Sequence, residues 1–274
     1  MSQKMINLVE ATPPYQSHSD YAFSASIADH STRAQVGSAI NVAGRAGSIM
    51  TLVGIEICIK STATTTVNTG GLVEVENDAI DWKPLEIYPN SSSYVGANAG
   101  GAQSPMFLPL HKPLPAGSNI SVFYTAQNAA TDKAYVTLFW TTKPWDARPQ
   151  TFIKSGIGTA LTQVTSATSH VSIVIPANKG GSVVGFLGQV YGTIETIVVS
   201  GGQVTVHNTS AQVAWEPFRF TLGGITSIGT GGGENLVCRV PAHGDAAGNG
   251  TFTFDYIPTD NQSQAAALGV VWEA

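Results

Sequence analysis

The sequence predicts an all-β chain of two tandem eight-stranded β-sandwiches, an expectation that rests on a long repeat, a strand-like patterning and a shortage of charge. Residues 70–88, GGLVEVENDAIDWKPLEIY, return as GGQVTVHNTSAQVAWEPFRFT at residues 201–221. Each copy runs Gly-Gly, alternating valines, an Asn, then Trp-x-Pro and a second alternating segment. The matched pairs are Gly70 and Gly201, Val73 and Val204, Val75 and Val206, Asn77 and Asn208, Trp82 and Trp215, Pro84 and Pro217. Their offset is 131 up to the Asn and 133 beyond it, which places two extra residues in the second copy's loop. Such a period marks a duplicated domain, since solenoid and propeller repeats run to roughly 20–50 residues.

The patterning comes next. Short runs with period-two alternation and β-branched residues recur between Gly, Pro and Asn clusters, and no amphipathic helical period is visible. The third sign is compositional: 43% of the 274 residues are hydrophobic and only 11% are charged, against about 25% charged in an ordinary soluble protein. A surface that poor in charge is neutral and polar, or covered by neighbours.

In chain order, residues 1–30 read as an N-terminal arm in which Pro13 and Pro14 stop any helix. Residues 31–142 form the first sandwich, with strands at 34–42, 48–60, the Thr-rich 61–69, 72–76, 85–88, 105–110, 120–125 and 134–140. The segment from His111 to Asn119 reads as a turn. Pro84, two residues after Trp82, cannot donate to a sheet ladder and marks a strand start, an edge or a bulge. Residues 143–167 read as a strap carrying Trp145, Phe152 and Ile153. Residues 168–274 repeat the sandwich: 171–175 matches 34–42, GSVVGFLGQVY at 181–191 matches GSIMTLVGIEI at 47–57, which pairs Gly54 with Gly188, and Trp272 matches Trp140.

Several function classes lack support. A net charge of −5 with scattered Lys and Arg gives no basic footprint for direct nucleic-acid binding. Cys58 and Cys238 sit in strand-like runs at non-equivalent positions and read as small buried hydrophobes. The beginning of the sequence has no signal-like apolar run, and no stretch approaches a membrane span, so synthesis in the cytosol is expected. Sequons at Asn90, Asn119, Asn208, Asn249 and Asn261 are chance products of a Ser/Thr-rich chain. No nucleophile elbow, P-loop, dinucleotide fingerprint, H-E-x-x-H or C-x-x-C motif occurs, so no catalytic, cofactor or metal residue is assigned. His18, His30, His111, His170, His207 and His243 lack metal-ligand spacing. Glu74, Glu76, Asp78 and Asp81 could suggest calcium, yet Glu74 and Glu76 alternate with Val73 and Val75 and read as an outward face. Thr205 and His207 replace them in the second copy. The loop at 244–250 reads as a turn.

A duplicated eight-stranded sandwich with an arm, sparse charge and no catalytic motif resembles the double jelly-roll major capsid proteins of icosahedral DNA viruses, many with an internal membrane. That resemblance covers residues 31–274. It implies jelly-roll topology in each half, rolls standing side by side, and homotrimers that form pseudo-hexagonal capsomers. It also implies penton and minor capsid partners, a virion location and no enzymatic activity. Loops at 90–103 and 225–235 would form small tops. The alternative is a tandem sandwich that binds carbohydrate, as a spike or lectin-like protein, with Trp82 and Trp215 as sugar platforms if exposed, although a Trp shortly before Pro in a strand context favours a core or corner role for both. A third reading, an amidase or glycosidase on the same double sandwich, requires carboxylates in a cleft between the halves.

Overall fold

A computed structural model describes residues 17–23, 32–61, 67–89, 92–94, 105–126, 132–159, 161, 168–192, 201–208, 218–222, 238–258 and 264–274. In the first half, β1 (Ser17–Phe23), β2 (Ala34–Gln35), β3 (Ile40–Asn41) and β4 (Ile49–Ser61) are followed by β5 (Val67–Thr69), β6 (Gly71–Asn77), β7 (Glu86–Ile87) and β8 (Ser92–Tyr94). It closes with β9 (Met106–Pro115), β10 (Asn119–Ala126) and β11 (Asp132–Thr141). The second half holds β12 (Thr151–Ile157), β13 (Thr168–Val174), β14 (Gly181–Gly192), β15 (Gly202–Asn208), β16 (Phe218–Leu222), β17 (Cys238–Ala246), β18 (Thr251–Pro258) and β19 (Gln264–Glu273).

Strand order defines the topology. One sheet of the first half runs β1-β11-β4-β9 and the facing sheet runs β2-β10-β6-β7, with β3 continuing β2 alongside β10. The second half repeats this as β12-β19-β14-β17 and β13-β18-β15-β16. Counting β2 and β3 as one interrupted strand and leaving aside the β5–β8 ribbon, both halves pair their strands 1-8-3-6 and 2-7-4-5. That is the jelly-roll order, so the chain is a double jelly roll. Every named pairing is antiparallel, and each roll encloses its own apolar core.

The strand pairings move two boundaries drawn from sequence. Residues 17–23, placed in the arm, pair with β11 as the first strand of the first roll. Residues 151–157, placed in the strap, pair with β19 as the first strand of the second. Both sit at sheet edges, where one neighbour leaves the period-two pattern weak. Residues 1–16 lie outside the described residues. The predicted turn at 111–119 is also shorter, because β9 continues through Pro113 and Pro115. Prolines are tolerated there because β9 is an edge strand with a ladder on one side only.

Within each roll the Gly-Gly motif has a physical cause. Gly70 and Gly201 take φ of 148° and 146°, a region that side chains other than glycine rarely adopt. A Cβ on Gly71 would collide with the Thr125 carbonyl oxygen, and one on Gly202 with the Ile257 carbonyl oxygen. So the first glycine bends the chain and the second lets the neighbouring strand close in.

The third strand of each roll corrects another match. The ladder slips between Leu52 and Gly54 in β4 and between Val183 and Gly185 in β14. Gly54 faces Phe139, next to Trp140, and Gly185 faces Val271, next to Trp272. The equivalent of Gly54 is therefore Gly185, at the same offset of 131 that the Gly-Gly motif has. Gly188, three residues on, is the wrong partner, because glycines in a small-residue strand match at several registers. Val53 and Val184 are the two bulge residues.

Candidate functional site at the junction of the two rolls

The second roll is built onto the first through β12. Leu85 and Ile153 form a parallel bridge, and the Ile153 amide donates to the Pro84 carbonyl at 3.2 Å. Edge strand β7 thus meets edge strand β12, and neither is left open to a stray partner. On the other side, the His111 amide donates to Thr151 Oγ1 at 3.0 Å.

Alternation along β14 and β19 sends Phe186, Val190, Leu268 and Val270 into the second roll's own core. The opposite face carries Leu187, Gln189, Val271, Ala265 and Ala267. These are buried as well, between 2% and 8% exposed. Leu187, Val271 and the bulge residue Val184 pack against the first roll's core, while Ala265 and Ala267 meet Tyr88 and Ile157. The outer face of this sheet is an interface made within the chain.

Among the described residues the matching face of the first roll has no such cover. There Glu56 lies opposite Phe107 and Thr137, Gly54 opposite Phe139, and Cys58 opposite Tyr135. Phe107 and Phe139 pack at 5.7 Å between ring centroids and remain partly exposed, while Tyr135 is 40% exposed. Val53 and Cys58 are half-buried, so Cys58 is not the buried hydrophobe expected from sequence. The side chain of Cys238 lies outside the described residues.

A polar knot sits beside the junction. Lys112 is fully buried; its Nζ donates to the Trp82 carbonyl at 3.2 Å and lies 3.4 Å from the Phe152 ring centroid. Burial pushes its ammonium down to about 6, with Lys179 adding to the effect and Asp81 opposing it. Lys179 pairs with Asp81 at 3.1 Å. Phe152 stacks on Trp272 at 5.7 Å.

The sequence candidates resolve into supports. Trp82 is 1% exposed, with its Nε1 donating to the Pro113 carbonyl at 2.9 Å, so it is a corner post and cannot serve as a sugar platform. Trp215 lies outside the described residues. Glu74 and Glu76 bind Arg33 at 2.7 and 2.5 Å, and Lys83 also pairs with Glu76 at 3.0 Å. Asp78 accepts the Asn119 amide at 2.8 Å. Glu74 and Glu76 share Arg33, while Asp78 turns to Asn119 and Asp81 to Lys179, so the four acids do not converge on one centre. His111 is held by Asp146 at 3.2 Å and stacks on Trp145 at 4.2 Å, which fastens residues 143–150 to the first roll. His170 accepts the Ala266 amide at 2.9 Å, and burial lowers its pKa. His207 pairs with Asp255 at 2.9 Å, while His18 stacks on Trp140 at 5.9 Å. Among the described residues no group of three or more His, Cys, Asp or Glu could hold a metal ion.

A cavity of about 260 Å³ opens between the rolls, lined by Leu108, Leu110, Ile153, Val184 and Val271 with His111 and Glu273 at its polar margin. Glu273 is the single carboxylate among its described lining residues, whereas glycoside hydrolysis needs two carboxyl groups about 5–9 Å apart.

No protein-family model and no curated protein matches the chain. Solved structures do align with it. The crystal structure of the STIV MCP matches at a TM-score of 0.37 and 8% identity, over 92% of this chain and 96% of that one. PNGase F, a glycosylasparaginase from Flavobacterium meningosepticum, matches at 0.42 and 10%, over 94% and 96%. PBCV-1 VP54, fitted into a reconstruction of the virophage Sputnik, matches at 0.33 and 11%, over 94% and 93%. The first and third are viral major capsid proteins. The double jelly roll is read from the strand order of this chain alone.

Proposed function

We propose that the chain is a structural virion protein, the major subunit of an icosahedral capsid, and that it assembles head to tail into homotrimeric, pseudo-hexagonal capsomers. One observation carries this reading: the outer face of the second roll is buried under the first roll, while the equivalent face of the first roll, with Phe107, Phe139 and Tyr135, is only partly covered by the described residues. The surface that would continue the pattern is the far edge of the second roll, β16 and β17, because β7 and β9 are their equivalents. Repeating the contact between chains brings that edge of one copy onto the uncovered face and strand β1 of the next. The residue matching Leu85 is Phe218, and the one matching Ile153 is Ser19, so their backbones would bridge between copies. A heterologous contact of this kind closes into a ring when its rotation permits. Three chains then supply six similar wedges, and penton, minor capsid proteins or an internal membrane would meet the assembled shell. Synthesis is in the host cytoplasm, and neither catalysis nor direct nucleic-acid binding is part of the role.

Light scattering on the purified chain, with negative-stain imaging, tests the reading. Trimers or larger shells with six-lobed units are expected. A monomer that persists at high concentration and never forms such units overturns it.

A further inference from the structure

Lys112 lies inside the chain at the junction of the rolls, and its setting is costly. Its side chain comes from the first roll, where β9 places it opposite Leu52, and its head is walled by Phe152 of the second roll. The charged groups that face it are Asp81, from the loop after β6, and Lys179, from the turn between β13 and β14. Asp81 already pairs with Lys179 at 3.1 Å and is 63% exposed. A protonated Lys112 therefore meets one carbonyl, one ring face and a second ammonium, with no carboxylate of its own. A buried ammonium in such a place is disfavoured relative to the neutral amine.

We propose that Lys112 makes the junction between the two rolls a pH-sensitive joint, tightest when its amine is neutral and looser once the amine takes up a proton. Closed, the junction strips the amine of water; opened, it returns the amine to solvent and to ordinary lysine behaviour. The closed value lies near 6 and the hydrated one at 10.5, so between these limits the open state holds more protons. Opening becomes easier as the pH falls through that window, by up to about tenfold per pH unit for one proton. It levels off below about 6, where both states are charged.

Hydrogen exchange on the full chain from pH 6.5 to 9.5, corrected for intrinsic rates, reads this directly at the amides of Ile153 and His111, which bond across the junction. In the unaltered chain their opening constants should rise toward the acid end, while the Val206 amide inside the second roll should not follow. Lys112→Met, checked with Lys112→Gln, should flatten the junction response by removing the titrating group. A flat response in the unaltered chain overturns the proposal without any variant. So does a parallel change at Val206, or an undiminished slope in a folded Lys112 variant. The joint lies within one chain, so the result stands whether or not that chain forms trimers.

Discussion

The two rolls are near copies on the inside and opposites on the outside. Both keep a Gly-Gly entry to the fourth strand, with φ of 148° and 146° at the first glycine. Each keeps a valine bulge in the third strand and a tryptophan near the end of the last. The difference lies in the face that looks away from each core. In the second roll it is small and dry, built of Leu187, Ala265, Ala267 and Val271, and the first roll covers it. In the first roll the matching positions hold Glu56, Lys133, Tyr135 and Phe139. What a jelly roll requires is kept in both halves, and the difference lies in whether the outer face is covered by the other roll.

The sharpest way to break this comparison is to place one charge at the two equivalent positions opposite the bulge glycines. Val271→Asp buries a carboxylate at the covered face, and the expected loss is about 3 kcal/mol or more. Phe139→Asp puts the same group on a partly exposed face, where the isolated chain should lose no more than about 1 kcal/mol while its self-association falls away. Urea unfolding at low concentration, paired with sedimentation at high concentration, separates the two outcomes. Equal destabilisation by both substitutions would show that the faces do not differ as described.

The glycines come next. Gly71→Val and Gly202→Val each force a side chain into a neighbouring carbonyl oxygen, so each should cost about 2–4 kcal/mol, in the range of overpacking plus a disrupted ladder. The two values should be similar, because a carbonyl oxygen of the neighbouring strand blocks the Cβ in both rolls, with the Tyr256 ring adding to the clash at Gly202. Thermal melts of the two variants check this. A mild effect in one roll alone would mean that the motif is retained there without structural need.

Much of this plan was legible in the residues, for physical reasons that also mark where legibility stopped. The fourth strands could be matched because a bend, a close backbone approach and a corner tryptophan each demand a particular residue type. The first strands could not. Residues 17–23 and 151–157 are edge strands, and SHSDYAF and TFIKSGI share no required residue. The contact between His18 and Trp140, mirrored by Phe152 and Trp272, is the signal that could have found them. It pairs residues more than 100 positions apart and needs the fold to be seen. The third strands misled by three residues because several glycines competed. The junction knot was hidden for another reason: HKPLPAGSN reads as a turn, and nothing in it announces that Lys112 is buried beneath the other roll.

The finest contrast concerns those two tryptophans. Trp272 Nε1 donates to the Lys179 carbonyl at 2.6 Å, which ties the end of the second roll to the turn carrying the lysine at the junction. Trp140 occupies the equivalent place, yet its buried Nε1 has no hydrogen-bond partner among the described residues. Replacing tryptophan by phenylalanine keeps an aromatic ring and removes the N–H. At Trp272 this leaves the Lys179 carbonyl without its donor, for an expected cost of about 1–3 kcal/mol. At Trp140 no bond is lost, so Trp140→Phe should cost less, within about 1 kcal/mol and chiefly for the smaller ring. Urea midpoints for the two variants, with unchanged slopes, decide the order. If Trp140→Phe proves the costlier, its N–H has a partner outside the described residues, and the two rolls are more alike at this corner than their hydrogen bonds indicate.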